Sequence, residues 1–142
     1  MRYVVLVSHG NFALGLHSAL EMFVGADRKD ILSISLSNGM GVDVFEKKVN
    51  ELLAGMDKDA EVIVLADIIG GSPLTTILKV LSKNELLQKS VVFGGVNLPL
   101  AINAVLMKDS AGMSELKEVI INESKEAIKE LDLNLENNED EI

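Results

Sequence analysis

The stretch Val4–Gly15 (VVLVSHGNFALG) determines how the first part of the chain folds. It starts with an apolar run that gives way at Ser8 to serine, histidine, glycine and asparagine. Such a run is typical of a buried strand, and the residues after it are typical of a turn. Beyond the turn, apolar residues recur at helical spacing up to Gly25, which is suited to end a helix. His9, one of two histidines in the chain, therefore lies at the carboxyl end of a predicted strand.

Four apolar runs have the length and the β-branched composition of strands: Tyr3–Val7 (YVVLV), Ile31–Leu36 (ILSISL), Val62–Ala66 (VIVLA) and Ser90–Phe93 (SVVF). The first, third and fourth show little alternation of polar and apolar residues, which is expected of strands covered on both faces. The second run does alternate, and we therefore expect it at an edge of the sheet.

Helical patterns separate the predicted strands. A stripe of apolar residues runs from Val42 to Met56, and Asp43 and Glu46 have the spacing of a capping pair at its start. A third helix begins at Ser72-Pro73, because serine suits the N-cap and proline suits the first helical position. A fourth helix follows Pro99, and a long fifth helix is predicted from about residue 114 to residue 131.

This alternation of strands and helices indicates an α/β domain with a parallel sheet and helices on both faces. Because crossovers between parallel strands are right-handed, the simplest doubly wound arrangement has the strand order 2-1-3-4. The first and third strands are then neighbours, and the direction of winding reverses between them. Ligands of such folds bind at this point, at the carboxyl ends of the strands.

His9 and Asp67 occupy matching places at the ends of these two neighbouring strands. Neighbouring strands lie roughly 4.8 Å apart, so the two side chains are within reach of each other. A carboxylate that accepts one imidazole N–H fixes the tautomer and leaves the other ring nitrogen bare. This arrangement is suited to a nucleophilic histidine.

The glycine-rich segments at the same edge predict a site for an anion. Gly10 follows the histidine, and Gly70 and Gly71 allow backbone N–H groups to converge on a ligand. Ser72 adds a hydroxyl group at the N-terminus of a helix, which attracts anions without lysine or arginine. A nucleophilic imidazole beside an anion site favours phosphoryl transfer through a phosphohistidine, with no metal and no cofactor. His17 lies within the first helix, beside its apolar stripe, and is interpreted as a structural residue.

The composition limits the possible functions. A chain of 142 residues forms one domain, and none of its apolar runs is long enough to span a membrane. The absence of cysteine excludes disulfides, thiolate metal sites and a cysteine nucleophile, and agrees with a cytoplasmic protein. The net charge of −9 is concentrated towards the C-terminus, where we expect a solvated tail at Glu136–Ile142 (ENNEDEI). No basic patch indicates binding to nucleic acid.

Three motifs carry a resemblance to a known family: VSHG (Val7–Gly10), LADIIGGSP (Leu65–Pro73) and GGVNLPL (Gly94–Leu100). In these motifs the chain resembles the enzyme IIA component of the mannose family of the bacterial phosphoenolpyruvate-dependent sugar phosphotransferase system (PTS). The resemblance covers roughly residues 1 to 131. It divides the chain into an EIIA mannose-type domain, residues 1–133, and an acidic C-terminal tail, residues 134–142.

The resemblance implies a function and a set of partners. His9 would accept a phosphoryl group from the histidine phosphocarrier protein and pass it to a IIB component, which serves sugar uptake by the membrane components IIC and IID. Asp67 would orient His9, and Ser72 would help to bind the phosphoryl group, for which the glycine-rich segments also predict Gly10, Gly70 and Gly71. The family works as a homodimer that exchanges a C-terminal antiparallel strand between subunits. Lys125–Leu133 is the best candidate for that strand, although it overlaps the long predicted helix.

Three other interpretations stay open at this point. One is the phosphotransfer subunit of a phosphoenolpyruvate-dependent dihydroxyacetone kinase, for which a different loop than GGSP would be expected after the third strand. Another is a two-component receiver domain, for which Asp67 is well placed, although VSHGN (Val7–Asn11) offers no acidic residue to hold Mg²⁺. The third is a non-catalytic signalling or interaction domain of the same fold.

Overall fold

A computed structural model describes residues 1–134 of the chain. Four strands alternate with five α-helices, and a short 3₁₀ helix precedes the last strand. The strands are β1 (Arg2–His9), β2 (Ile31–Leu36), β3 (Glu61–Ala66) and β4 (Ser90–Phe93). The helices are α1 (Phe12–Val24), α2 (Val42–Leu53), α3 (Ser72–Lys83), α4 (Leu98–Met107) and α5 (Met113–Glu126), and the 3₁₀ helix is Leu87–Lys89.

The four strands form one parallel sheet in the order β2-β1-β3-β4, which confirms the predicted topology. The register pairs Ser8 with Ser35 on one side of β1 and Val7 with Ala66 on the other. Because all strands run in the same direction, the loops that follow β1, β3 and β4 meet at one edge of the sheet. We refer to this edge as the carboxyl edge.

Alternate side chains of the central strands enter two separate apolar cores. Val4 and Leu6 of β1 pack in the core that contains the buried residues of α1, α4 and α5. Val5 and Val7 pack in the other core, with the buried residues of α2 and α3. The sheet therefore has helices on both faces, as the runs of apolar residues in β1 and β3 predicted.

The edge strands differ from the central ones in burial. β2 lies at one edge of the sheet, in agreement with its alternating sequence. β4 lies at the other edge, and three of its four residues are only half buried. Val91 and Phe93 nevertheless pack against one core and Val92 packs against the other, so β4 is partly covered on both faces, as predicted.

The starts of two helices also differ from the sequence prediction. No side chain caps α2, and Glu46 contacts Lys79 of α3 at 2.7 Å, so the predicted capping pair of Asp43 and Glu46 does not form. In α3 the N-cap is Gly71, and Ser72 and Pro73 occupy the first two helical positions. The predicted start was thus one residue too late.

The last helix, α5, is shorter than the sequence predicted. α5 ends at Glu126, and the chain continues without regular secondary structure to residue 134. Within residues 1–134 there is no fifth strand, so the predicted exchanged strand is not part of the sheet of a single chain. The acidic segment Glu136–Ile142 lies outside the described residues. None of the helices in residues 1–134 is long and apolar enough to cross a membrane.

A network of charged side chains lies at the opposite edge of the sheet. The ammonium group of Lys108, whose side chain is 2% exposed, lies 2.9 Å from carboxylate oxygens of both Asp30 and Asp109. Asp30 also accepts two hydrogen bonds from Arg28, at 2.7 and 3.0 Å. Because Asp30 directly precedes β2 and Lys108 directly follows α4, these contacts tie the two elements together.

Candidate functional site

The sheet brings His9 and Asp67 together at the carboxyl edge, as predicted. His9 is the last residue of β1, and Asp67 directly follows β3. The backbone N–H of Asp67 donates to the carbonyl oxygen of Val7 at 3.2 Å, so the pairing of the two strands continues into the site. The position of the acid relative to the histidine is therefore fixed by the register of two central strands.

Asp67 accepts hydrogen bonds from both the ring and the backbone of His9. Its Oδ2 atom lies 2.9 Å from Nδ1 of His9 and 3.0 Å from the backbone nitrogen of the same residue. The other oxygen, Oδ1, accepts the backbone N–H of Ile68 at 2.9 Å. The side chain of Asp67 is 18% exposed, whereas that of His9 is 45% exposed. The carboxylate is thus enclosed while the imidazole faces solvent.

The charge of Asp67 determines which nitrogen of His9 carries the proton. Burial by itself raises the pKa of Asp67, but the backbone N–H of His9, the ring of His9 and the backbone N–H of Ile68 together outweigh it, and the pKa lies below its usual value. An ionised carboxylate only accepts hydrogen bonds. The contact at 2.9 Å therefore places the proton of neutral His9 on Nδ1 and leaves Nε2 with a free lone pair.

Gly71 lies against the free side of the imidazole. A Cβ atom at this position would lie 2.9 Å from Cε1 and 3.1 Å from Nε2 of His9. Gly70 and Gly71 also have φ angles of 90° and 81°, which side chains other than glycine rarely adopt. Nε2 consequently faces the backbone at the N-terminus of α3, where the first N–H groups have no partner within the helix. This is a suitable place for an anion.

The two remaining predicted residues differ in how they fit this role. Ser72 is exposed and is the first residue of α3, next to Gly71. The backbone N–H of Gly10 donates to the carbonyl oxygen of Leu36 at 2.9 Å, so this amide already has a partner. With a φ of 57°, Gly10 serves the turn after β1. Binding of a phosphoryl group by Gly10 stays a prediction.

Apolar side chains are exposed around the histidine. Phe12, Ile68 and Ile69 have exposed fractions of 48%, 53% and 72%; Phe12 is the first residue of α1, and the two isoleucines belong to the loop after β3. In the described part of the chain, the only ion pair of His9 or Asp67 is the one that joins them. Phe12, Ile68 and Ile69 form an apolar rim beside the histidine, as is typical of a surface that contacts another protein.

Two residues of the site were not recognised in the sequence. Ser8, which is fully buried, accepts the backbone N–H of Ala13 at 2.7 Å. Gly94 lies so close to Ile69 that a Cβ atom there would overlap with the side chain of Ile69. The motifs SHG and GGVNLP contain these residues, but their contacts depend on how separate loops lie against each other.

His17 is a structural residue, as expected. It is half buried, and its Nδ1 atom lies 2.6 Å from the hydroxyl of Ser33 on β2. In residues 1–134, no three histidine or acidic side chains are grouped so that they could hold a metal ion.

The fold and the site together define a doubly wound α/β domain with a carboxylate-bound histidine at its carboxyl edge. Residues 3–121 match the family model EIIA-man, described as PTS system fructose IIA component. The chain belongs to this family and is a IIA component of a sugar phosphotransferase system. The predicted family is thereby confirmed.

Individual relatives support the assignment. The chain is 23% identical over 113 residues to the PTS system fructose-specific EIIA component of Bacillus subtilis (strain 168). This match covers 80% of this chain and 75% of that protein. It is 30% identical, with a TM-score of 0.76, to a PTS IIA protein associated with the fucose utilization operon of Streptococcus pneumoniae, over 91% and 92% of the two chains. A phosphotransferase system component EIIA from Streptococcus agalactiae matches with 27% identity and a TM-score of 0.75, over 92% and 97%.

Proposed function

We propose that the chain accepts a phosphoryl group on Nε2 of His9 from the histidine phosphocarrier protein and passes it to a IIB component. The observation that carries this proposal is the contact of 2.9 Å between Nδ1 of His9 and Oδ2 of Asp67. It leaves Nε2 unprotonated, exposed and directed at the N-terminus of α3. The IIB component would in turn pass the phosphoryl group to the sugar that membrane components IIC and IID deliver. Both transfers would take place in the cytoplasm, where the donor protein is found.

The transfer exchanges one phosphorus–nitrogen bond for another. The lone pair of Nε2 attacks the phosphorus, the bond to the donor imidazole breaks, and the donor keeps the electron pair of that bond. Nδ1 of His9 retains its proton throughout, and Asp67 stabilises the positive charge that forms on the ring. The second transfer, to the IIB component, is the same step with His9 as the leaving group.

Gly70, Gly71 and Ser72 would receive the phosphoryl oxygens. The backbone of Gly71 lies beside Nε2, and the dipole of α3 favours negative charge at this end of the helix. The absence of a side chain at Gly71 provides the space that the phosphoryl group needs. The apolar rim formed by Phe12, Ile68 and Ile69 would contact the donor and acceptor proteins in turn.

We also propose that the protein works as a homodimer. In the described structure β4 pairs only with β3, so its outer edge is open. A cavity of about 390 Å³ lies beside this edge and is lined by residues of β4, of the following loop and of α5. The segment after α5 has exposed leucines at positions 131 and 133, which alternate with polar residues as in a strand. Lys125–Leu133 of a second copy remains our candidate for the exchanged strand.

Labelling tests the proposed transfer and its site. With phosphoenolpyruvate, enzyme I and the histidine phosphocarrier protein present, the wild-type chain should acquire one acid-labile phosphoryl group. His9→Ala should abolish the label and keep the fold, whereas His17→Ala, the matched control at the other histidine, should retain it. A label that persists in His9→Ala would falsify the assignment. Transfer to a IIB protein, rather than to a dihydroxyacetone kinase, distinguishes the sugar system from the alternative acceptor.

Sedimentation tests the dimer. The wild-type chain should have twice the monomer mass of 15.3 kDa. Replacement of Leu131 and Leu133 by Asp should give a monomer, because two charged side chains pack poorly against the largely apolar cavity beside β4. Met22→Asp, which changes an exposed side chain on α1, is the control and should stay dimeric. A monomeric wild-type protein, or a dimeric double variant, contradicts the proposal.

A further inference from the structure

The start of α1 lacks the side-chain cap that helices usually have. Asn11 occupies the N-cap position, but its side chain makes no capping hydrogen bond. The first N–H groups of a helix have no acceptor within the helix and need one elsewhere. Ala13, in the first turn, is 1% exposed, so its N–H group is out of reach of solvent. The hydroxyl of Ser8 accepts this N–H at 2.7 Å and takes the place of the missing cap.

Ser8 reaches Ala13 across the turn that contains the histidine. It directly precedes His9 in β1, is 0% exposed, and its Oγ atom lies 3.4 Å from Oγ of Ser35 on β2. The hydrogen bond to Ala13 therefore joins the end of β1 to the start of α1, with His9, Gly10 and Asn11 between the two joined points. Within this turn the N–H of Gly10 donates to the carbonyl oxygen of Leu36 on β2, so the hydrogen bond of Ser8 is the contact that ties the turn to α1.

The hydrogen bond of Ser8 and the contacts of Asp67 hold the histidine from opposite sides. Asp67 holds the backbone and Nδ1 of His9 from β3. Ser8 holds the turn that leaves His9 from the side of α1. With both sets of contacts in place, Nε2 lies beside Gly71.

We propose that Ser8 is a positioning residue for phosphoryl transfer: its hydroxyl sets the turn between β1 and α1 and thereby the direction of Nε2. This inference rests on the proposed phosphorylation of His9. Reaction between two positioned groups is sensitive to small displacements, and a shift of about 1 Å lowers the rate on the order of 100-fold. Loss of the hydroxyl should therefore slow the chemical step more than it weakens binding of the donor protein.

The test uses two variants of the same shape. Ser8→Thr keeps the hydroxyl, and Ser8→Val replaces it by a methyl group; both residues suit a strand. Ser8→Val should lower kcat for phosphorylation by the histidine phosphocarrier protein by about 10-fold or more, with a nearly unchanged KM, and Ser8→Thr should stay close to the wild-type rate. Ser35→Ala is the control, since it removes the neighbouring buried hydroxyl but leaves the N–H of Ala13 paired.

Nitrogen-15 spectra of the imidazole provide a second measurement that does not depend on transfer. In Ser8→Val the signals of His9 should move while those of His17 stay, which a general loss of stability would not produce. Equal rates for the Thr and Val variants, or an equal loss in Ser35→Ala, overturn the role of Ser8. If the wild-type chain takes no label at all, the proposed function fails instead, and unmoved His9 signals in Ser8→Val still contradict the positioning role.

Discussion

Two N–H groups of His9 donate to the same oxygen of Asp67, one from the backbone and one from the ring. The backbone contact fixes where the residue lies, and the ring contact fixes how the imidazole is turned. Because the same carboxylate is held by the N–H of Ile68 through its other oxygen, it cannot rotate without the loss of a further hydrogen bond. The orientation of Nε2 thus depends on a group that never contacts Nε2 itself.

Replacement of Asp67 by Asn tests this dependence. An amide has one acceptor oxygen and an NH₂ donor, and if the NH₂ group faces Nδ1 it selects the tautomer with the proton on Nε2. The transfer rate should fall by between about 100-fold and about 10⁴-fold, the larger loss being that seen when a carboxylate that orients a catalytic histidine is replaced by an amide. The measurements are rapid-quench labelling and the nitrogen-15 shifts of the ring. Wild-type kinetics in this variant would contradict the orienting role of Asp67.

A side chain at Gly71 should block the same nitrogen. The Cβ atom of Gly71→Ala would lie 3.1 Å from Nε2, and the φ of 81° is unfavourable for alanine. We expect a loss of transfer on the order of 100-fold, measured by labelling under conditions where circular dichroism shows a folded protein. Gly112→Ala is the matched control, because that glycine has a φ of −68° and no atom within 4 Å of the added carbon. Similar rates for both variants would rule out a steric role of Gly71.

The sequence predicted His9 and Asp67 because each directly follows an apolar strand and the strand order makes those strands neighbours. It did not predict a role for Ser8, although this residue is part of the motif VSHG. The buried N–H of Ala13 and its acceptor can be recognised only when the positions of α1 and β1 are known. The contact of Gly94 with Ile69 could not be predicted for the same reason, since it joins two loops that are far apart in the chain.

At the scale of elements, local signals predicted the strands better than the helix ends. β2 and β4 have the predicted limits, because each apolar run ends at a serine or glycine that favours a turn. The capping pair of α2 failed because Glu46 forms an ion pair with Lys79 of α3 instead. α5 ends early because Ser124 is its last buried residue, so further turns would gain no packing.

Replacement of Gly15 by Ala tests the contribution of helix propensity to the stability of α1. Gly15 lies inside α1 and is exposed, and a Cβ atom there would meet nothing within 4 Å. Gly15→Ala should raise the free energy of unfolding by about 0.5–1 kcal/mol, because glycine loses more backbone entropy than alanine when a helix forms. Urea unfolding measures this change, and labelling should show an unchanged rate. Destabilisation would mean that the space around Gly15 is needed for another contact.

In the complete fold, the candidate site and the buried ion-pair network lie at opposite edges of the sheet. The carboxyl edge combines glycines with positive φ, an exposed histidine and exposed apolar side chains. The opposite edge is held by the network of Lys108, Asp30 and Arg28. The sequence predicted the first edge from its motifs, whereas the partners of Lys108 depend on how α4 packs against the start of β2 and could not be inferred from spacing.

Asp30 should make a large contribution to stability without a contribution to transfer. In Asp30→Asn the buried ammonium of Lys108 keeps only Asp109, which is largely exposed, as a charged partner. Removal of one partner from a buried ion pair costs about 3 kcal/mol, and we expect a loss of this size in the free energy of unfolding. The rate of labelling per folded molecule should be unchanged, because Asp30 lies at the opposite edge of the sheet from His9. A lower labelling rate in the folded variant would contradict the expectation that Asp30 contributes only to stability.

The same carboxylate should determine part of the acid sensitivity. The hydrogen bond from Arg28, opposed by burial and assisted by Lys108, lowers the pKa of Asp30 to about 2. In the unfolded chain this pKa is about 3.9, so the unfolded state takes up the proton first as the pH falls. The contribution of Asp30 is therefore fully present above pH 4 to 5 and is lost as the pH falls towards about 2. Urea unfolding of the wild type between these values should show a steeper fall in stability than Asp30→Asn, and parallel curves would mean that other carboxylates dominate.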